Sequence, residues 1–195
     1  MPYTIDPLTE GCYPGTTVLI NKFDLRDAAK LREAEARIVP LKYALWQQHP
    51  PASSFDFAHY KAIHAFLFED LYDWAGKIRT VNLSKKGTSF CPAGQIETMA
   101  AAIFGRLHAH HLFCGLPHDI FVRELTDFYQ RTNELHPFRE GNGRAQRLFL
   151  SELCRNAGYE LDFFSIDTDL LMIATIQAAN GVDSLLYQLL HEAVK

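Results

Sequence analysis

Residues 136–147 read His136-Pro137-Phe138-Arg139-Glu140-Gly141-Asn142-Gly143-Arg144-Ala145-Gln146-Arg147. Periodic apolar segments precede and follow this stretch, so we predict a loop between two helices. A residue before proline is disfavoured in the α region, and the first helix should therefore stop at His136. Gly141-Asn142-Gly143 tolerates left-handed or tightly turned backbone, after which helical spacing resumes at Arg144. The loop thus leads into a helix N-terminus.

The charges at this N-terminus oppose the helix dipole. Arg144 and Arg147 lie three residues apart in sequence, where the dipole disfavours each cation by about 0.3–1 kcal/mol. Free backbone amides, a glycine-rich turn and two guanidinium groups together form a phosphate-binding site. Glu140 adds a carboxylate suited to Mg²⁺, and His136 can take a proton near neutral pH. This combination indicates nucleotide chemistry.

Each of these residues also has an ordinary structural explanation. His136 could complement the dipole at a helix C-terminus, Glu140 could be loop charge, and the two arginines could form a solvated helix face. The glycines could belong to an ordinary turn. The ordered combination favours the functional interpretation. For Phe138 we predict packing of the loop against the core, with a functional role equally open.

The stretch resembles the signature of Fic-domain proteins, HPFx(D/E)GNGRxxR, at every specified position. The resemblance implies a protein adenylyltransferase, which transfers AMP from ATP to a Tyr, Ser or Thr hydroxyl of a target protein. It also implies an all-α fold, a Fic-fold helical bundle with a β-hairpin flap. His136 matches the catalytic base of the family and Glu140 its Mg²⁺ ligand. The implied nucleotide-binding residues are Gly141, Asn142, Gly143, Arg144 and Arg147.

Composition sets wider limits. The chain has 195 residues, 48% of them hydrophobic, which suits one domain with a sizeable core. A net charge of −4 argues against direct nucleic-acid binding through bulk charge. No apolar run is long enough for a membrane span, and the start does not resemble an export signal. The four cysteines are scattered without a C-x-x-C pair, so we predict reduced thiols in a cytoplasmic protein.

Helix-breaking residues and the spacing of apolar side chains indicate where the structural elements begin and end. Residues 1–20 contain three prolines and two glycines, which predicts an extended N-terminal arm on a single globular Fic domain of residues 21–195. Seven or so helices are predicted: one capped by Asp24 or Asp27 and running toward Trp46, one from after Asp56 to Gly76, one over 95–109, one over about 117–135, one from Arg144 to Gly158, one capped by Ser165 and one beginning at Asp183. His108, His110 and His111 do not share one helix face, so they are predicted to complement a helix dipole and not to bind metal.

One segment carries a β signal. Residues 78–83 alternate apolar and polar side chains, 84–87 suit a turn, and 88–91 return. A lone hairpin lies against the helices and leaves an edge that can accept an extended segment. In the Fic family the equivalent hairpin, the flap, is thought to hold the target's hydroxyl-bearing loop over the catalytic histidine. The implied target-docking residues are Lys85, Lys86, Gly87, Thr88, Ser89 and Phe90, although the lysines could equally be solubilising turn charges.

The resemblance also bears on regulation. Fic proteins with built-in inhibition carry a helix with (S/T)xxxE(G/N), whose glutamate pairs with the second motif arginine, matching Arg147 here. Glu10-Gly11 is superficially similar, but Asp6 stands where Ser or Thr is required and Pro7 interrupts any helix. The resemblance therefore implies inhibition in trans by a small antitoxin-like protein that supplies the glutamate helix, with this chain as the toxin half. Some toxin-type members modify DNA gyrase and topoisomerase IV, which are candidate targets.

Two alternatives remain open. A Doc-like kinase would bind ATP inverted and transfer phosphate, but that subfamily has lysine near the position of Gly143 and lacks the glycine-rich turn. A catalytically silent Fic module would hold a nucleotide or a partner without chemistry, and the intact motif argues against it.

Overall fold

The computed structural model describes residues 4–5, 10–85 and 88–195. These residues form seven α-helices and three short strands. The helices are α1 (Ala28–Gln48), α2 (Phe57–Phe68), α3 (Ile96–Ala109), α4 (His118–Leu135), α5 (Asn142–Ala157), α6 (Thr168–Ala179) and α7 (Ser184–Ala193). The strands are β1 (Thr4–Ile5), β2 (Leu83–Lys85) and β3 (Thr88–Ser89). The predicted helical bundle with a β-hairpin is confirmed.

Side-chain caps set several helix starts. The carboxylate of Asp27 accepts hydrogen bonds from the backbone N–H groups of Ala29 and Lys30, and Asp56 caps α2 in the same way. Asp27 is one of the two caps predicted for α1, and α2 begins after Asp56 as predicted. The prediction for α6 was wrong, because Asp167 caps that helix while Ser165 lies in a preceding 3-10 turn.

The end of α2 was also predicted wrongly. The helix stops at Phe68 and not at Gly76, although Leu71 and Tyr72 are fully buried. The chain turns back on α2, so that the N–H of Gly76 donates to Nδ1 of His64 at 2.9 Å. Gly76 has a φ of 76°, and a Cβ there would lie 2.8 Å from the Cβ of Ala65. The apolar spacing beyond Phe68 therefore belongs to a returning segment and not to a longer helix.

The core lies where α2, α4 and α5 meet. Ile63, Leu125 and Phe149 are completely buried there, whereas Ile120 of α4 is half exposed. Gln146 of α5 donates from Nε2 to a backbone oxygen and a hydroxyl oxygen of α4, each at 2.8 Å. Buried hydrogen bonds thus join the two helices that flank the 136–147 loop, which fixes the loop's two ends relative to each other.

The strands form one antiparallel sheet in the order β1-β2-β3. Ser84 pairs with Thr4 on one side and with Ser89 on the other, so β1 covers one edge of β2. Among the described residues, β3 pairs with β2 alone, and its outer edge is the open one. The hairpin is shorter than predicted because residues 78–82 are not in a strand. The backbone of Arg79 instead donates to the carbonyl oxygen of Pro137 at 2.9 Å.

The segment before α1 also joins the domain. Tyr13 and Val18 are buried with the core residues, and the N–H of Tyr13 donates to the carbonyl oxygen of Val18 at 2.9 Å. No helix within the described ranges combines the length and the apolar character that crossing a membrane requires.

Candidate active site

His136 is the C-cap residue of α4. Its backbone is left-handed, with φ 41° and ψ 58°, and its ring is buried. Nδ1 lies 3.2 Å from the carbonyl oxygen of Asn133. A carbonyl oxygen only accepts hydrogen bonds, so in the neutral ring Nδ1 carries the hydrogen and Nε2 carries the lone pair. The predicted base is therefore held in one tautomer by the helix that delivers it.

The ring of Phe90 covers this imidazole. The two ring centroids lie 3.7 Å apart with an interplanar angle of 12°. Phe90 follows β3 directly, and its N–H donates to the carbonyl oxygen of Leu83 at 3.1 Å. The flap hairpin therefore contributes one wall of the pocket around His136.

Arg79 joins this hairpin to the loop, and sequence reasoning did not identify it. Its buried guanidinium donates to the carbonyl oxygens of His136, Val81 and Cys91 at 2.8, 2.7 and 2.5 Å. Desolvation lowers the pKa of Arg79. One side chain thus fixes the backbone of His136 and the segments on both sides of the hairpin.

Two buried side chains shape the interior of the loop. Phe138 is completely buried and stacks on His64 with ring centroids 3.8 Å apart, which confirms its predicted anchoring role. The side chain of Asn142 accepts from the N–H of Phe138 and donates to its carbonyl oxygen, both at 2.8 Å. Asn142 therefore uses its side-chain amide to close the loop.

His64 supports the same loop from α2. It accepts from the N–H of Gly76 at Nδ1, so Nε2 donates to the carbonyl oxygen of Glu140 at 2.9 Å. Burial lowers the pKa of His64 to about 3. The ring is neutral at physiological pH, which this pair of hydrogen bonds requires.

The loop passes into α5 through Gly141. Gly141 has a φ of 80°, and a Cβ there would clash with the ring of Phe68, so only glycine fits. Helix α5 starts at Asn142, two residues before the predicted Arg144, and Gly143 is therefore helical and not left-handed. The first N–H groups of a helix have no acceptor within it, so those of Asn142 and Gly143 remain suited to an anion.

Glu140 fits the predicted role of Mg²⁺ ligand. Its Oε1 accepts from the N–H of Gly141 at 2.9 Å and lies 3.4 Å from a guanidinium nitrogen of Arg144. Among the described residues, its Oε2 makes no hydrogen bond. The carboxylate is about one-third exposed, and a hard cation that retains water ligands suits this oxygen.

Arg144 already has protein partners. Its Nη1 donates to the carboxylate of Glu35, on α1, at 2.7 Å. The same carboxylate accepts a short hydrogen bond from the hydroxyl of Tyr72. Desolvation raises the pKa of Tyr72, and the negative charge of Glu35 raises it further. Tyr72 is therefore a neutral donor that helps Glu35 to hold Arg144 at the mouth of the site.

Arg147 differs from Arg144. Within the described part of the chain its guanidinium makes no ion pair and no hydrogen bond. Both arginines line a cavity of about 490 Å³ between α1, α5 and α6. The other walls of this cavity are mainly apolar: Val39, Pro40, Phe163, Ile166 and Leu171 are among them. A half-buried cation thus faces a groove with room for a ligand.

The structure places Glu140 beside Arg144 and sets both arginines in the first two turns of α5, which begins six residues after His136. Of the predicted flap residues, Phe90 reaches His136 and Ser89 is exposed. Lys86 and Gly87 lie outside the described residues. Lys85 and Thr88 pair across β2 and β3. Target docking by these residues stays a prediction.

Comparison with known proteins agrees with this geometry. The Fic/DOC family profile matches residues 54–154. The chain is 38% identical over 177 residues to a probable protein adenylyltransferase, y4lH, of Sinorhizobium fredii, covering 90% of this chain and 89% of the relative. It is 34% identical over 182 residues to a probable protein adenylyltransferase of Salmonella typhimurium, covering 93% and 90%. The crystal structure of the Bartonella tribocorum effector BepC with bound AMPPNP superposes with a TM-score of 0.91 at 29% identity, covering 96% of this chain and 97% of that one.

Proposed function

Because the chain belongs to the Fic/DOC family, we propose that it transfers AMP from ATP to a Tyr, Ser or Thr hydroxyl of a target protein. Relatives that match nine-tenths of the chain are named protein adenylyltransferases, and a solved structure of the same fold binds an ATP analogue. The chain is accordingly a nucleotidyltransferase with ATP as a substrate. One observation carries the proposal: a histidine held in a single tautomer lies beside a helix N-terminus and two arginines.

His136 acts as the base. Its Nδ1–H is held by Asn133, so Nε2 accepts the proton as the target's hydroxyl oxygen attacks the α-phosphorus of ATP. The bond from the α-phosphorus to the bridging oxygen breaks, and pyrophosphate leaves. Proton removal at the moment of attack requires a fixed ring, which the Arg79 and Asn133 contacts supply.

The start of α5 binds the phosphates. The first amides of the helix and the positive end of its dipole favour the phosphate oxygens, and the two guanidinium groups add charge. The Gly141 turn brings the backbone close without a side chain in the way. These groups are positioned before substrate arrives, which lowers the reorganisation needed at the transition state.

Glu140 is the residue that would hold Mg²⁺, through the Oε2 atom that makes no hydrogen bond to a described residue. When bound, the ion would neutralise charge on the phosphates as pyrophosphate leaves. Arg144 lies near the other carboxylate oxygen, Oε1. An ion on Oε2 and the guanidinium group of Arg144 could therefore contact the phosphates at the same time.

The open edge of β3 is the proposed docking site for the target. An extended segment paired with β3 would run past Phe90 and His136, as strand addition to a sheet edge allows. Main-chain pairing tolerates many target sequences. The edge of β3 would set the position of the target segment along the strand, and the target would supply the hydroxyl.

A Doc-like kinase would transfer the γ-phosphate of ATP. The position of the label in ATP therefore distinguishes it from an adenylyltransferase. Purified protein is incubated with host lysate and with ATP labelled at α or at γ, with His136→Ala alongside. Label from α alone on one band supports AMP transfer and identifies the target for mass spectrometry. Label from γ alone makes the chain a kinase. Absence of label with both substrates, with ATP binding intact, favours the silent binding module.

We also propose that the chain is a toxin inhibited in trans. Arg147 faces an apolar groove and makes no ion pair within the described residues, which suits a partner helix that carries a glutamate. An inhibitory carboxylate there would occupy the place of an ATP phosphate. DNA gyrase and topoisomerase IV are the candidate targets.

Toxicity is tested by expressing the chain alone in bacteria. Growth should stop with the wild-type chain and continue with His136→Ala, and purified gyrase and topoisomerase IV should accept α label. Normal growth with abundant active enzyme would contradict the toxin role but leave AMP transfer intact.

A further inference from the structure

A second group of ligating side chains lies far from the active site. It joins the first turn of α4, which carries His118 and Asp119, to the last turn of α7, which carries His191. Helix α4 has 18 residues, so at a rise of 1.5 Å per residue the group lies about 27 Å from His136. The AMP-transfer mechanism does not use these side chains.

Their ligating atoms converge. Nε2 of His191 lies 3.0 Å from Oδ1 of Asp119, and Nδ1 of His118 lies 3.6 Å from the same oxygen. One ligand atom from each residue lies within 4.8 Å of the others. Ligands 2.0–2.1 Å from a tetrahedral ion are about 3.3 Å apart, so these separations bracket the required spacing.

A hydrogen bond on the far side of one ring prepares it for coordination. Nε2 of His118 lies 3.1 Å from the carbonyl oxygen of Val194 and must donate to it. Nδ1 therefore carries the lone pair and faces the carboxylate. A metal-binding histidine is commonly oriented in this way, by a carbonyl oxygen that accepts from its other nitrogen. The two imidazole rings are nearly perpendicular, at 86°, with centroids 4.7 Å apart, so both can point a nitrogen at one ion.

The surrounding charges favour a cation. The carboxylate of Asp119 supplies negative charge and an oxygen ligand beside the two imidazoles. Arg123, four residues further along α4, lies over the ring of Tyr187. Asp119 is exposed and the two histidines are partly exposed, so an ion can enter from solvent and keep a water as its fourth ligand.

We propose that His118, Asp119 and His191 bind a divalent transition-metal ion such as Zn²⁺, which fastens the start of α4 to the end of α7. Two imidazoles and one carboxylate suit Zn²⁺, Ni²⁺ or Co²⁺ and not Mg²⁺, which prefers oxygen ligands. On binding, the ion replaces the contact between Nε2 of His191 and Oδ1 of Asp119. The bound ion stabilises the helix that ends at His136 without taking part in the reaction, so this inference does not depend on the proposed function.

The test uses the full chain without a histidine tag, after treatment with a chelator. Co²⁺ is titrated by visible absorption and Zn²⁺ by calorimetry, and thermal unfolding is followed with and without Zn²⁺. We expect one ion per chain, and a rise in Tm of about 5–10 °C at a Zn²⁺ concentration roughly 100 times the Kd. Mg²⁺ should give no such rise.

Matched variants locate the ion. His191→Ala and Asp119→Asn should each weaken binding at least tenfold and remove the rise in Tm, while AMP transfer without Zn²⁺ stays unchanged. The double variant His108→Ala/His110→Ala removes two exposed histidines elsewhere and should bind Zn²⁺ as the wild type does, as should Cys114→Ser. Unchanged binding in His191→Ala, loss of binding in either control, or binding without a rise in Tm would overturn the proposal.

Discussion

The 136–147 loop and the β2–β3 hairpin face each other across His136, and they are held in different ways. Buried side chains fix the loop from within: Asn142 closes it, and His64 and Arg79 bind its carbonyl oxygens. Backbone pairing holds the described residues of the hairpin: two pairs join β2 to β3, two join β2 to β1, and the N–H of Phe90 donates to Leu83. One region has little freedom to move, and the other is a short ribbon with an open edge.

This difference matches two requirements of the proposed reaction. The base and the phosphate-binding amides must hold their positions closely, because a small displacement lowers the rate strongly. The target must be accepted as an extended segment, and a sheet edge accepts one through main-chain hydrogen bonds. Arg79 and the stacked rings of Phe90 and His136 are the contacts that join the two regions.

The largest effect is expected when the proposed base, His136, is removed from the 136–147 loop. His136→Ala should lower AMP transfer by about 10²–10⁴-fold, which is the usual contribution of a positioned base. Affinity for ATP should change little, because the phosphate-binding groups lie on α5. Labelling with α-labelled ATP and calorimetric titration with ATP measure the two quantities. A parallel loss of ATP binding would refute the assignment of His136 as base.

The local features of the loop could be predicted, because they depend on neighbouring residues. The proline after His136, the glycine at 141 and the charges at 144 and 147 each act within a few residues along the chain. The buried supports could not be predicted. Arg79, His64 and Glu35 contact loop residues 57, 76 and 109 positions away in sequence, and no spacing rule relates such positions.

The same limit explains the errors in the secondary structure. Residues 71–74 continue the apolar spacing of α2, but the chain reverses there so that Gly76 reaches His64. Arg79 occupies a polar position in an alternating segment, yet its backbone bonds to Pro137 and its guanidinium is buried. In both places tertiary hydrogen bonds outweigh the local pattern.

The second prediction concerns a substitution at Gly141 that disturbs the 136–147 loop. Gly141→Ala adds a methyl group against Phe68 in a left-handed backbone, and should lower the free energy of unfolding by about 2–5 kcal/mol. Gly143→Ala is the matched control, because Gly143 is helical and a Cβ there would lie 3.5 Å from Arg147. Urea unfolding of both variants measures the difference. Equal losses would mean that the Gly141 turn is not what shapes the loop.

The third prediction separates the loop from the hairpin. Arg79→Met removes the donor from three buried carbonyl oxygens, and at about 1–3 kcal/mol each should lower the free energy of unfolding by at least about 3 kcal/mol. It should also lower kcat for AMP transfer, because the backbone of His136 loses its restraint. Arg79→Lys keeps the charge but cannot reach all three oxygens. Its stability and its kcat should lie between those of the wild type and those of Arg79→Met. Unaltered kcat in Arg79→Met would show that the hairpin and the base are independent.

The fourth prediction concerns pH and again acts on the loop. The pKa of His64 is about 3 in the folded chain and about 6.5 when unfolded. Between these values the unfolded chain binds the additional proton, so stability is complete above pH 6.5 and falls as the pH falls toward 3.

From pH 7 to pH 5.5, His64 should account for a loss of about 1 kcal/mol in the free energy of unfolding. His64→Gln should remove that part of the pH dependence, while His110→Gln, an exposed control, should leave it. Urea unfolding at the two pH values provides the comparison, and an identical pH dependence in all three proteins would contradict a neutral, buried His64.

The smallest expected effect lies on the hairpin side. Phe90→Ala removes the ring that stacks on His136, and a stacked pair is worth about 0.5–1.5 kcal/mol, so transfer to the target should fall about twofold to tenfold. The loss should appear mainly in KM for the target and not in ATP affinity, because Phe90 belongs to the docking side. Thr80→Ala, at an exposed position outside the flap, is the control. A fall in ATP affinity as large as the fall in transfer would place Phe90 with the fixed loop and remove the distinction between the two regions.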